Sequence, residues 1–539
     1  MAEVKKLYAY WLKNMRDLEL KKDLELISEN DKEIFRRFHK KLKFGTAGLR
    51  NIMRAGTNGI NVYTVRQATQ GLANYLNKIN EKNSIAIAYD SRLNSELFAR
   101  ESTKVLIENK IKVYLTSEIQ PTPVLSYLVR KLKCQAGIMI TASHNLAEYN
   151  GYKCYDEHGG QITEDIADEI YREIEKLDIF KDIKICNNFE KKVNFVEEKI
   201  YESYLNCVLE QRIIKNTFEN SDLRVVYSPL NGTGYKLVTE IFNKIGLKNL
   251  FVVEDQKYPD GNFLTCKYPN PEYIECFELG IKLAEKTNSD IVILTDPDCD
   301  RVGICVLNND KYKFLTGNEI GILILNYILE NKKLPENPVI IKTLVSSKLI
   351  NKMAEKYNCK VIEVLTGFKN IGKEILKLEK TNKLKNFIFG FEESHGYLTG
   401  TYVRDKDAVS ASMLICEMAS FYKKQNLNFI NVLENINKKY KNYHSKNFSL
   451  ILNNEKIDKI LKNLRKSNLK EIFDFKIIKF KDYLNHFEDK ANILCFDLEQ
   501  DVNLIIRPSG TESKLKIYIN AKNKSDVSKL ANNFIYDLK

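Results

Sequence analysis

Short apolar runs alternate with amphipathic stretches along most of the chain. Six runs with apolar centres are predicted to be strands, most of them apolar on both faces: 84–90, 136–143, 223–230, 289–296, 337–344 and 386–393. Such runs are typical of parallel strands that helices cover on both faces. Apolar residues spaced by three and four positions predict helices at 95–110, 234–246, 346–357 and 368–380. This alternation predicts α/β layers with mostly parallel sheets.

The C-terminal part of the chain has a different pattern. Beyond about Tyr443, spacers rich in Asn and Lys precede two predicted strands around a polar turn (502–522) and a last helix, KSDVSKLANNFIYDL. We expect a smaller α+β domain here, joined by a flexible connection. The length of 539 residues, at roughly 150 residues per domain, predicts about three to four domains.

Composition and charge exclude several classes of protein. Gly and Pro, with 23 and 10 residues, are too few for a collagen-like or low-complexity chain. The N-terminus lacks the apolar core of a signal peptide, and the longest apolar stretch, 320–329, is too short to cross a membrane. We therefore expect a cytoplasmic protein without a membrane partner. The net charge of +13 comes from Lys interleaved with Glu and Asp, which indicates solvated faces and no nucleic-acid partner.

The eleven cysteines indicate reduced thiols. Their number is odd, no CxxC pair occurs, and several lie in apolar runs. The six His form no HExxH or HxH pair, so the sequence offers no zinc site.

Four loops that follow strands carry unusual chemistry, at the position where open α/β sheets bind ligands. The first is TASHNLAEYNGYKCY, residues 141–155. Ser143 lies in a polar turn beside His144, and Lys153 follows ten residues later, so this loop could offer a nucleophile with acid/base help. Polar residues are also common turn formers at strand ends, so this motif alone does not distinguish a catalytic site from an ordinary turn.

The second loop, TDPDCDRVG (295–303), gathers three carboxylates, Asp296, Asp298 and Asp300. Their mutual repulsion is unfavourable unless a cation is bound, and an all-oxygen ligand set suits Mg²⁺. Arg301 follows directly and could neutralise a phosphate. A calcium EF-hand is disfavoured because its glycine and distal Glu are missing.

The third and fourth loops carry groups that suit sugars and phosphates. GFEESHGYL (390–398) has two Glu and a Ser between glycines, which could bind vicinal hydroxyls or form a solvated turn. RPSGTESK (507–514) combines Arg507, Ser509 and Thr511 around Gly510. A guanidinium, two hydroxyls and accessible backbone N–H groups could bind phosphate, and the alternative is an ordinary hairpin turn.

Two further motifs do not match the sites that they resemble. GFKNIGK (367–373) has P-loop spacing, but Glu374 stands where a Ser or Thr must hold Mg²⁺. The Asp triplet is similar to the DxDx[TV] loop of haloacid-dehalogenase-type phosphatases, but position 300 is Asp and not Thr or Val.

Seven motifs, in order along the chain, resemble those of the α-D-phosphohexomutase family, specifically its phosphoglucomutase/phosphomannomutase members. They are KFGTAGLR (43–50), TASHN with NGYK (141–153), DPDCDR (296–301), TGFK (366–369), GFEESHG (390–396), VRDKDA (403–408) and RPSGTE (507–512). The resemblance implies three related α/β domains with mixed, mostly parallel sheets, and a smaller C-terminal α+β domain, around a central cleft. We expect the domains at residues 1–212, 213–312, 313–442 and 443–539.

The resemblance also implies roles for single residues. Ser143 would carry the transferable phosphoryl group, and Asp296, Asp298 and Asp300 would hold one Mg²⁺ together with that phosphate. His144, Lys153 and Arg50 match positions near the transfer. Positions that contact the substrate are matched by Arg301, Thr366, Gly367, Lys369, Glu392, Ser394 and Lys406. The site for the phosphate that does not react is matched by Arg507, Ser509, Gly510 and Thr511.

The implied reaction interconverts glucose 1-phosphate and glucose 6-phosphate through a phosphoserine enzyme and glucose 1,6-bisphosphate, which is both intermediate and activator. A phosphomannomutase or phosphopentomutase would use the same chemistry, because one loop sequence does not determine hydroxyl stereochemistry. A catalytically silent scaffold relative and a Mg²⁺-dependent phosphatase are the alternatives from other classes. We expect a monomer or a homodimer.

The chain departs from the family pattern at three positions. Leu146 and Ser513 stand where the family often has Pro. Cys299 replaces a small residue between two of the aspartates, and we expect it to point away from them because a soft thiol is a poor Mg²⁺ ligand.

Overall fold

The computed structural model describes residues 1–45, 48–440, 443–466, 469–485, 490–509 and 513–538. Within them the chain forms four β-sheets that follow one another along the sequence. None of the described helices combines the length and apolar character that a membrane span requires.

The first sheet has six strands in the order β1-β5-β4-β2-β3-β6. The strands are β1 (Leu49–Ile52), β2 (Ser84–Tyr89), β3 (Lys112–Leu115), β4 (Ala136–Ile140), β5 (Tyr149–Asp156) and β6 (Asn194–Phe195). Its helices are α1 (Ala2–Asn14), α2 (Leu18–Glu25), α3 (Asp31–Phe38), α4 (Val62–Ile79), α5 (Ser95–Glu108), α6 (Thr122–Lys131), α7 (Glu164–Glu175) and α8 (Glu198–Leu209).

The second sheet has five strands in the order β11-β10-β9-β7-β8. The strands are β7 (Arg224–Ser228), β8 (Asn249–Val252), β9 (Ile291–Thr295), β10 (Val302–Asn308) and β11 (Lys311–Leu315), with helices α9 (Gly234–Lys244), α10 (Glu254–Lys257) and α11 (Glu278–Thr287). The expected domain boundary after residue 312 falls within β11, which pairs with β10 over its whole length.

The third sheet has four strands in the order β13-β12-β14-β15. The strands are β12 (Val339–Thr343), β13 (Lys360–Val364), β14 (Phe387–Glu392) and β15 (Gly396–Leu398). Its helices are α12 (Gly317–Asn331), α13 (Leu349–Lys356), α14 (Phe368–Lys380), α15 (Ala408–Lys423) and α16 (Phe429–Lys439).

The fourth sheet is antiparallel throughout, in the order β16-β21-β20-β19-β18-β17. The strands are β16 (His444–Ile451), β17 (Glu471–Ile472), β18 (Phe475–Asp482), β19 (Leu494–Leu498), β20 (Val502–Pro508) and β21 (Lys514–Ala521), with helices α17 (Asn454–Leu464) and α18 (Lys524–Leu538). This sheet confirms the expected C-terminal α+β domain.

The first three sheets share one arrangement of strands. In each, three neighbouring strands are parallel, and a fourth strand pairs antiparallel with one edge of this set. The strand orders are β5-β4-β2-β3, β10-β9-β7-β8 and β15-β14-β12-β13, with the antiparallel strand first. The predicted buried strands correspond to β2, β4, β7, β9, β12 and β14. This repeat confirms three related α/β domains, although no repeat is visible in the sequence.

Apolar residues on the two faces of the first sheet belong to two different cores. On β2, Ile85 and Ile87 pack with α4 in one core, whereas Ala86 and Ala88 face the other. This second core continues into the second and third sheets, so the first three domains share it. The fourth sheet meets the third through a small apolar cluster formed by Leu344, Val345, Ile493, Cys495, Ile505 and Tyr518.

The N-terminal helices α1 to α3 were not predicted from the sequence. They pack on the first domain through Trp11, the only tryptophan of the chain, which is fully buried. Its ring lies edge-on to Phe38, Tyr63 and Phe180, with centroids 5.7, 6.0 and 5.4 Å away. Aromatic pairs of this kind add to the stabilisation that burial provides.

Trp11→Ala is therefore expected to destabilise the first domain by about 3–5 kcal/mol, since it removes a large buried side chain and leaves a cavity. Leu18→Ala is the matched control, because Leu18 lies on α2 with 73% of its surface exposed. Chemical denaturation followed by circular dichroism measures both. Equal midpoints for the two variants would contradict the anchoring role of Trp11.

Candidate active site

All four loops with unusual chemistry connect the two strands of an antiparallel hairpin. They join β4 to β5, β9 to β10, β14 to β15, and β20 to β21. In the first three domains the loop leaves the carboxyl end of a parallel strand, where ligands bind in α/β sheets. Gly510 and Thr511 lie outside the described residues.

Ser143 lies in the first hairpin loop with a left-handed backbone (φ 52°) and is almost fully buried. Its hydroxyl donates to Asp296 Oδ2 at 2.9 Å and lies 3.1 Å from His144 Nδ1. Its N–H donates to Thr141 Oγ1 at 2.7 Å. The left-handed conformation is uncommon for a residue with a side chain, so surrounding contacts must hold it.

Those contacts come from Arg92, which the sequence analysis did not single out. Its guanidinium is buried beneath the loop and donates to four carbonyl oxygens of residues 143, 145, 146 and 149, at 2.5, 2.5, 2.8 and 3.1 Å. Its Nε lies 3.5 Å from Asp90 Oδ2. Burial lowers the pKa of Arg92 to about 10, so the group stays charged near neutral pH. The loop is thus held by one fork-shaped donor.

The three aspartates of the second hairpin loop converge as predicted. Asp296, Asp298 and Asp300 are buried, and one carboxylate oxygen from each lies within 4.8 Å of the others. Asp298 Oδ1 and Asp300 Oδ1 have no hydrogen-bond partner among the described residues. Because a buried carboxylate oxygen is unfavourable without a donor or a cation, these oxygens fit a hard divalent cation.

The electrostatics of this cluster are those of crowded carboxylates. Burial and then the charges of Asp298 and Asp300 raise the pKa of Asp296 well above its usual range. Burial opposes ionisation of Asp298 too, but the charge and hydrogen bond of Lys153 outweigh it and lower its pKa. Asp298 is therefore firmly ionised, whereas ionisation of Asp296 needs more positive charge than the surrounding protein provides.

Two lysines from other domains meet the aspartates. Lys153 Nζ, from β5, donates to Asp298 Oδ2 at 2.7 Å and lies 3.7 Å from Asp300 Oδ2. Lys406 Nζ, from the segment before α15, lies 2.8 Å from Asp300 Oδ2 and 3.5 Å from Asp405 Oδ1. Burial lowers the pKa of Lys406, but those two carboxylates outweigh it, so the net shift is upward. Lys406 thus contacts the acidic loop itself.

Thr122, at the start of α6, makes a further contact that the sequence analysis missed. Its hydroxyl donates to Asp298 Oδ2 at 2.9 Å, and its N–H donates to the Asp298 carbonyl oxygen at 2.8 Å. The N-terminus of α6 is thereby directed at a carboxylate, which the helix dipole favours. A Thr within a Pro-Thr-Pro segment carries no distinctive signal in a sequence.

Cys299 is fully buried with a left-handed backbone (φ 50°). It packs beside Tyr227 and Thr295, where Gly234 leaves room, since a Cβ on that glycine would meet the Cys299 sulfur at 3.1 Å. The thiol thus lies against Gly234, and it is not part of the metal-suited group that the three aspartates form.

Three basic side chains lie near Ser143. Arg50 donates to Asn145 Oδ1 at 3.1 Å, and Arg301 pairs with Glu272. Burial, and then the charges of Arg301 and Arg50, lower the pKa of His144 well below its usual value. His144 is therefore neutral at physiological pH, and arginines supply positive charge near Ser143: Arg50, Arg301 and Arg92 beneath the loop.

The third hairpin loop contacts the TGFK segment. Glu392 Oε1 accepts from the Gly367 N–H at 3.1 Å. Gly367 has φ 103°, a conformation that favours glycine, immediately before α14. Thr366 precedes it, and Lys369 Nζ lies 3.9 Å from Glu164 Oε1 of the first domain. Glu392 and the TGFK segment thus form one group through the Gly367 N–H, and Ser394 lies in the turn that follows Glu392.

Arg507, on the last hairpin, faces this group. Its Nε donates to the Tyr518 hydroxyl at 3.1 Å, and its guanidinium lies over the Tyr518 ring. Burial lowers its pKa, but Tyr518 and the charge of Glu393 outweigh burial and raise it. Ser509 follows β20, and its N–H donates to the Lys514 carbonyl oxygen at 2.8 Å.

Comparison with known proteins gives matches to four family models. The alpha/beta/alpha domains I, II and III of phosphoglucomutase/phosphomannomutase match residues 41–179, 202–309 and 316–440, and the C-terminal domain matches residues 455–535. The chain belongs to the phosphoglucomutase/phosphomannomutase family. The expected family and fold are thus confirmed, and the protein is an enzyme, a mutase that transfers phosphoryl groups.

Two phosphoglucomutases match this chain over almost their full length. The phosphoglucomutase of Staphylococcus haemolyticus (strain JCSC1435) is 36% identical over 522 residues, which cover 93% of this chain and 94% of the relative. That of Staphylococcus aureus (strain MSSA476) is 34% identical over 548 aligned positions, and the alignment covers 98% of each chain.

Two solved structures show the same fold at low identity. A phosphoglucomutase/phosphomannomutase family protein from Burkholderia thailandensis has a TM-score of 0.69 and 17% identity, covering 93% of this chain and 97% of its own. The open form of parafusin, a phosphoglucomutase from Paramecium, has a TM-score of 0.69 and 19% identity. The match covers 92% of this chain and 95% of parafusin.

Arg92→Lys is expected to lower kcat on the order of 100-fold, since an ammonium cannot reach four carbonyl oxygens and small misplacements of reacting groups are costly. KM for the sugar phosphate should change little, because Arg92 lies beneath the loop. Steady-state kinetics measures both parameters. Arg100→Lys, on the exposed face of α5, is the control. A kcat within twofold of wild type would contradict the positioning role of Arg92.

Proposed function

We propose that the protein interconverts glucose 1-phosphate and glucose 6-phosphate through a phosphoserine at Ser143 and a glucose 1,6-bisphosphate intermediate. The observation that carries the proposal is the 2.9 Å hydrogen bond from the Ser143 hydroxyl to Asp296 Oδ2. It places a buried hydroxyl from one domain against the carboxylate cluster of the next. A phosphate on that oxygen would lie beside the cluster.

Asp296, Asp298 and Asp300, with the phosphate on Ser143, would hold one Mg²⁺. Bound there, Mg²⁺ would supply charge that stabilises the phosphate and its departing serine oxygen. Asp298 Oδ1 and Asp300 Oδ1, which are buried without a hydrogen-bond partner in the described part of the chain, support this assignment. So does a solved relative with the same fold, the N-acetylphosphoglucosamine mutase of Aspergillus fumigatus, in complex with GlcNAc-6P and magnesium.

Residues of this chain would bind and orient the moving group. Arg50 and Arg301 would offset charge on the transferred phosphoryl group. Neutral His144 lies beside the Ser143 hydroxyl, and Lys153 lies beside Asp298. Either side chain would hold or move the proton of the sugar hydroxyl that accepts the phosphoryl group. Phosphoserine would phosphorylate the free hydroxyl, and the other phosphate of the bisphosphate would return to Ser143.

The rest of the cleft would hold the sugar in either orientation. Glu392 and Ser394 would bind hydroxyls, with Thr366, Gly367, Lys369 and Lys406 around them. Arg507, Ser509, Gly510 and Thr511 would bind the phosphate that does not react. Lys406 contacts Asp300, so we assign it to the support of the acidic loop as well. The cytoplasmic location and the oligomeric state stay predictions.

A substrate panel tests the proposal. With Mg²⁺ and a catalytic amount of glucose 1,6-bisphosphate, glucose 1-phosphate should give the highest kcat/KM among the 1-phosphates of glucose, mannose, glucosamine and a pentose. Ser143→Ala should abolish isomerisation, because no group then carries the phosphate. A preference for mannose or pentose 1-phosphate would correct the substrate but not the mechanism. Phosphate release that persists in Ser143→Ala would instead favour a phosphatase.

Asp298→Asn should weaken Mg²⁺ binding and lower kcat far more than it raises KM for the sugar phosphate, since the metal acts on the transferred group. Isothermal titration with Mg²⁺ and steady-state kinetics measure the two effects. Asp310→Asn, in the turn between β10 and β11, is a matched control with the same chemical change. Unchanged Mg²⁺ affinity in Asp298→Asn would remove Asp298 from the site.

A further inference from the structure

The second domain contains two neighbouring thiols on a segment that the catalytic scheme does not use. We call residues 258–277, between α10 and α11, the bridging segment. Cys266 Sγ and Cys276 Sγ both donate to the Tyr268 carbonyl oxygen, at 3.3 and 2.9 Å, and Cys276 Sγ also lies 3.1 Å from the Asn270 carbonyl oxygen. Because both thiols share one acceptor, the two sulfurs are neighbours.

The bridging segment closely contacts the supports of both catalytic loops. Phe263 lies under the Arg92 guanidinium, 5.0 Å from it, and a Cβ on Gly261 would meet the Leu93 nitrogen at 2.4 Å. Arg92 is the residue that holds the Ser143 loop. On the other side, Glu272 pairs with Arg301. The segment therefore joins the Ser143 loop to the guanidinium that follows the three aspartates.

The two thiols lie within the turn that positions Glu272. Asn270 donates its N–H to the Tyr268 carbonyl oxygen at 2.7 Å, and its side chain accepts from the Glu272 N–H at 3.1 Å. The thiols thus bind the same carbonyl that anchors this turn. Solvent reaches the segment from outside, since Leu264 and Tyr268 are 84% and 52% exposed.

The pair also differs chemically from the other buried cysteines. When Cys276 ionises, the neighbouring Cys266 thiol can donate to its sulfur in place of the Tyr268 carbonyl oxygen, which lowers the pKa of Cys276 and favours the reactive thiolate. Burial raises the pKa of Cys305 to about 12, so that thiol is inert by comparison.

We propose that Cys266 and Cys276 form a reversible disulfide when the protein meets a hydroperoxide, and that this bond lowers mutase turnover through the bridging segment. The Cys276 thiolate attacks one peroxide oxygen and becomes a sulfenic acid, while the other oxygen leaves as hydroxide and is protonated. The Cys266 sulfur then attacks the sulfenic sulfur, forms the S–S bond and releases water. Two thiols and one hydrogen peroxide thus give one disulfide and two waters, and an external thiol reverses the step.

The disulfide would change the turn because it removes both thiol donors. The Tyr268 and Asn270 carbonyl oxygens lose these hydrogen bonds, and the sulfurs must approach to about 2.05 Å. The Asn270 side chain then moves with the backbone, and with it the Glu272 N–H. The effect on turnover rests on the proposed function, whereas formation of the bond does not.

The test treats the purified full-length enzyme with hydrogen peroxide. Intact mass under non-reducing conditions should fall by two hydrogen atoms, titratable thiols should fall by two, and peptide mapping should link residues 266 and 276. kcat should fall by about tenfold, in line with the cost of small misplacements, and return with dithiothreitol. Hydrogen exchange at residues 141–149 and 268–276 should rise in the oxidised enzyme.

Cys266→Ser and Cys276→Ser should each prevent the mass change and the loss of kcat, because serine keeps a donor to the Tyr268 carbonyl oxygen but cannot form the bond. The control is the double variant Cys207→Ser with Cys359→Ser, which removes the two partly exposed cysteines and should respond like wild type. A wild-type enzyme that keeps all eleven thiols overturns the proposal. A 266–276 disulfide with unchanged kcat and hydrogen exchange overturns its regulatory half. No turnover by the reduced enzyme with any sugar phosphate would contradict the proposed function instead.

Discussion

The burial of three carboxylates on one loop is the constraint on which the arrangement of the first three domains depends. Asp296, Asp298 and Asp300 are at most 1% exposed, and a buried charge without compensation costs several kcal/mol. Their own domain contributes Arg301, which is already paired with Glu272. The ammonium groups that meet them come from the first domain, Lys153, and the third, Lys406. The loop is therefore stable only where all three domains converge.

The repeated strand order explains how the domains achieve this convergence. In each of the first three, the last strand of the parallel set returns as an antiparallel partner, and the hairpin loop between them carries the chemistry. The same position in each domain is thus directed at a common cleft. The apolar core that these domains share holds the loops in register, whereas the fourth domain meets the third through a much smaller apolar cluster. The position of the Arg507 loop therefore depends on the smaller apolar contact, the one between the third and fourth domains.

Hydrogen bonds from backbone and side chains then set the positions of Ser143 and Asp298, to which the proposed reaction assigns its central roles. Ser143 adopts a left-handed conformation that its own side chain does not favour, and Arg92 compensates by binding four carbonyls of the loop. Asp298 receives Thr122 as well as Lys153. In both loops the candidate site residue is held by a side chain from another element.

Much of the fold and of the candidate site follows from the sequence alone. Runs with apolar residues on both faces identify the central strands, because such strands are buried on both sides. The loops after them carry Ser143, the aspartates, Glu392 and Arg507 in a recognisable order. The sequence could not identify Arg92, Thr122 or Glu272, since their roles arise from contacts between elements far apart in the chain. It also could not reveal the N-terminal helices around Trp11 or the pairing of Cys266 with Cys276. The sequence determined which chemical groups are present and on which strands' ends they lie, because local apolar patterns specify strands and turns. Only the tertiary structure decided which groups meet, because the compensation of buried charge and the hydrogen bonding of loop carbonyls depend on distances between domains.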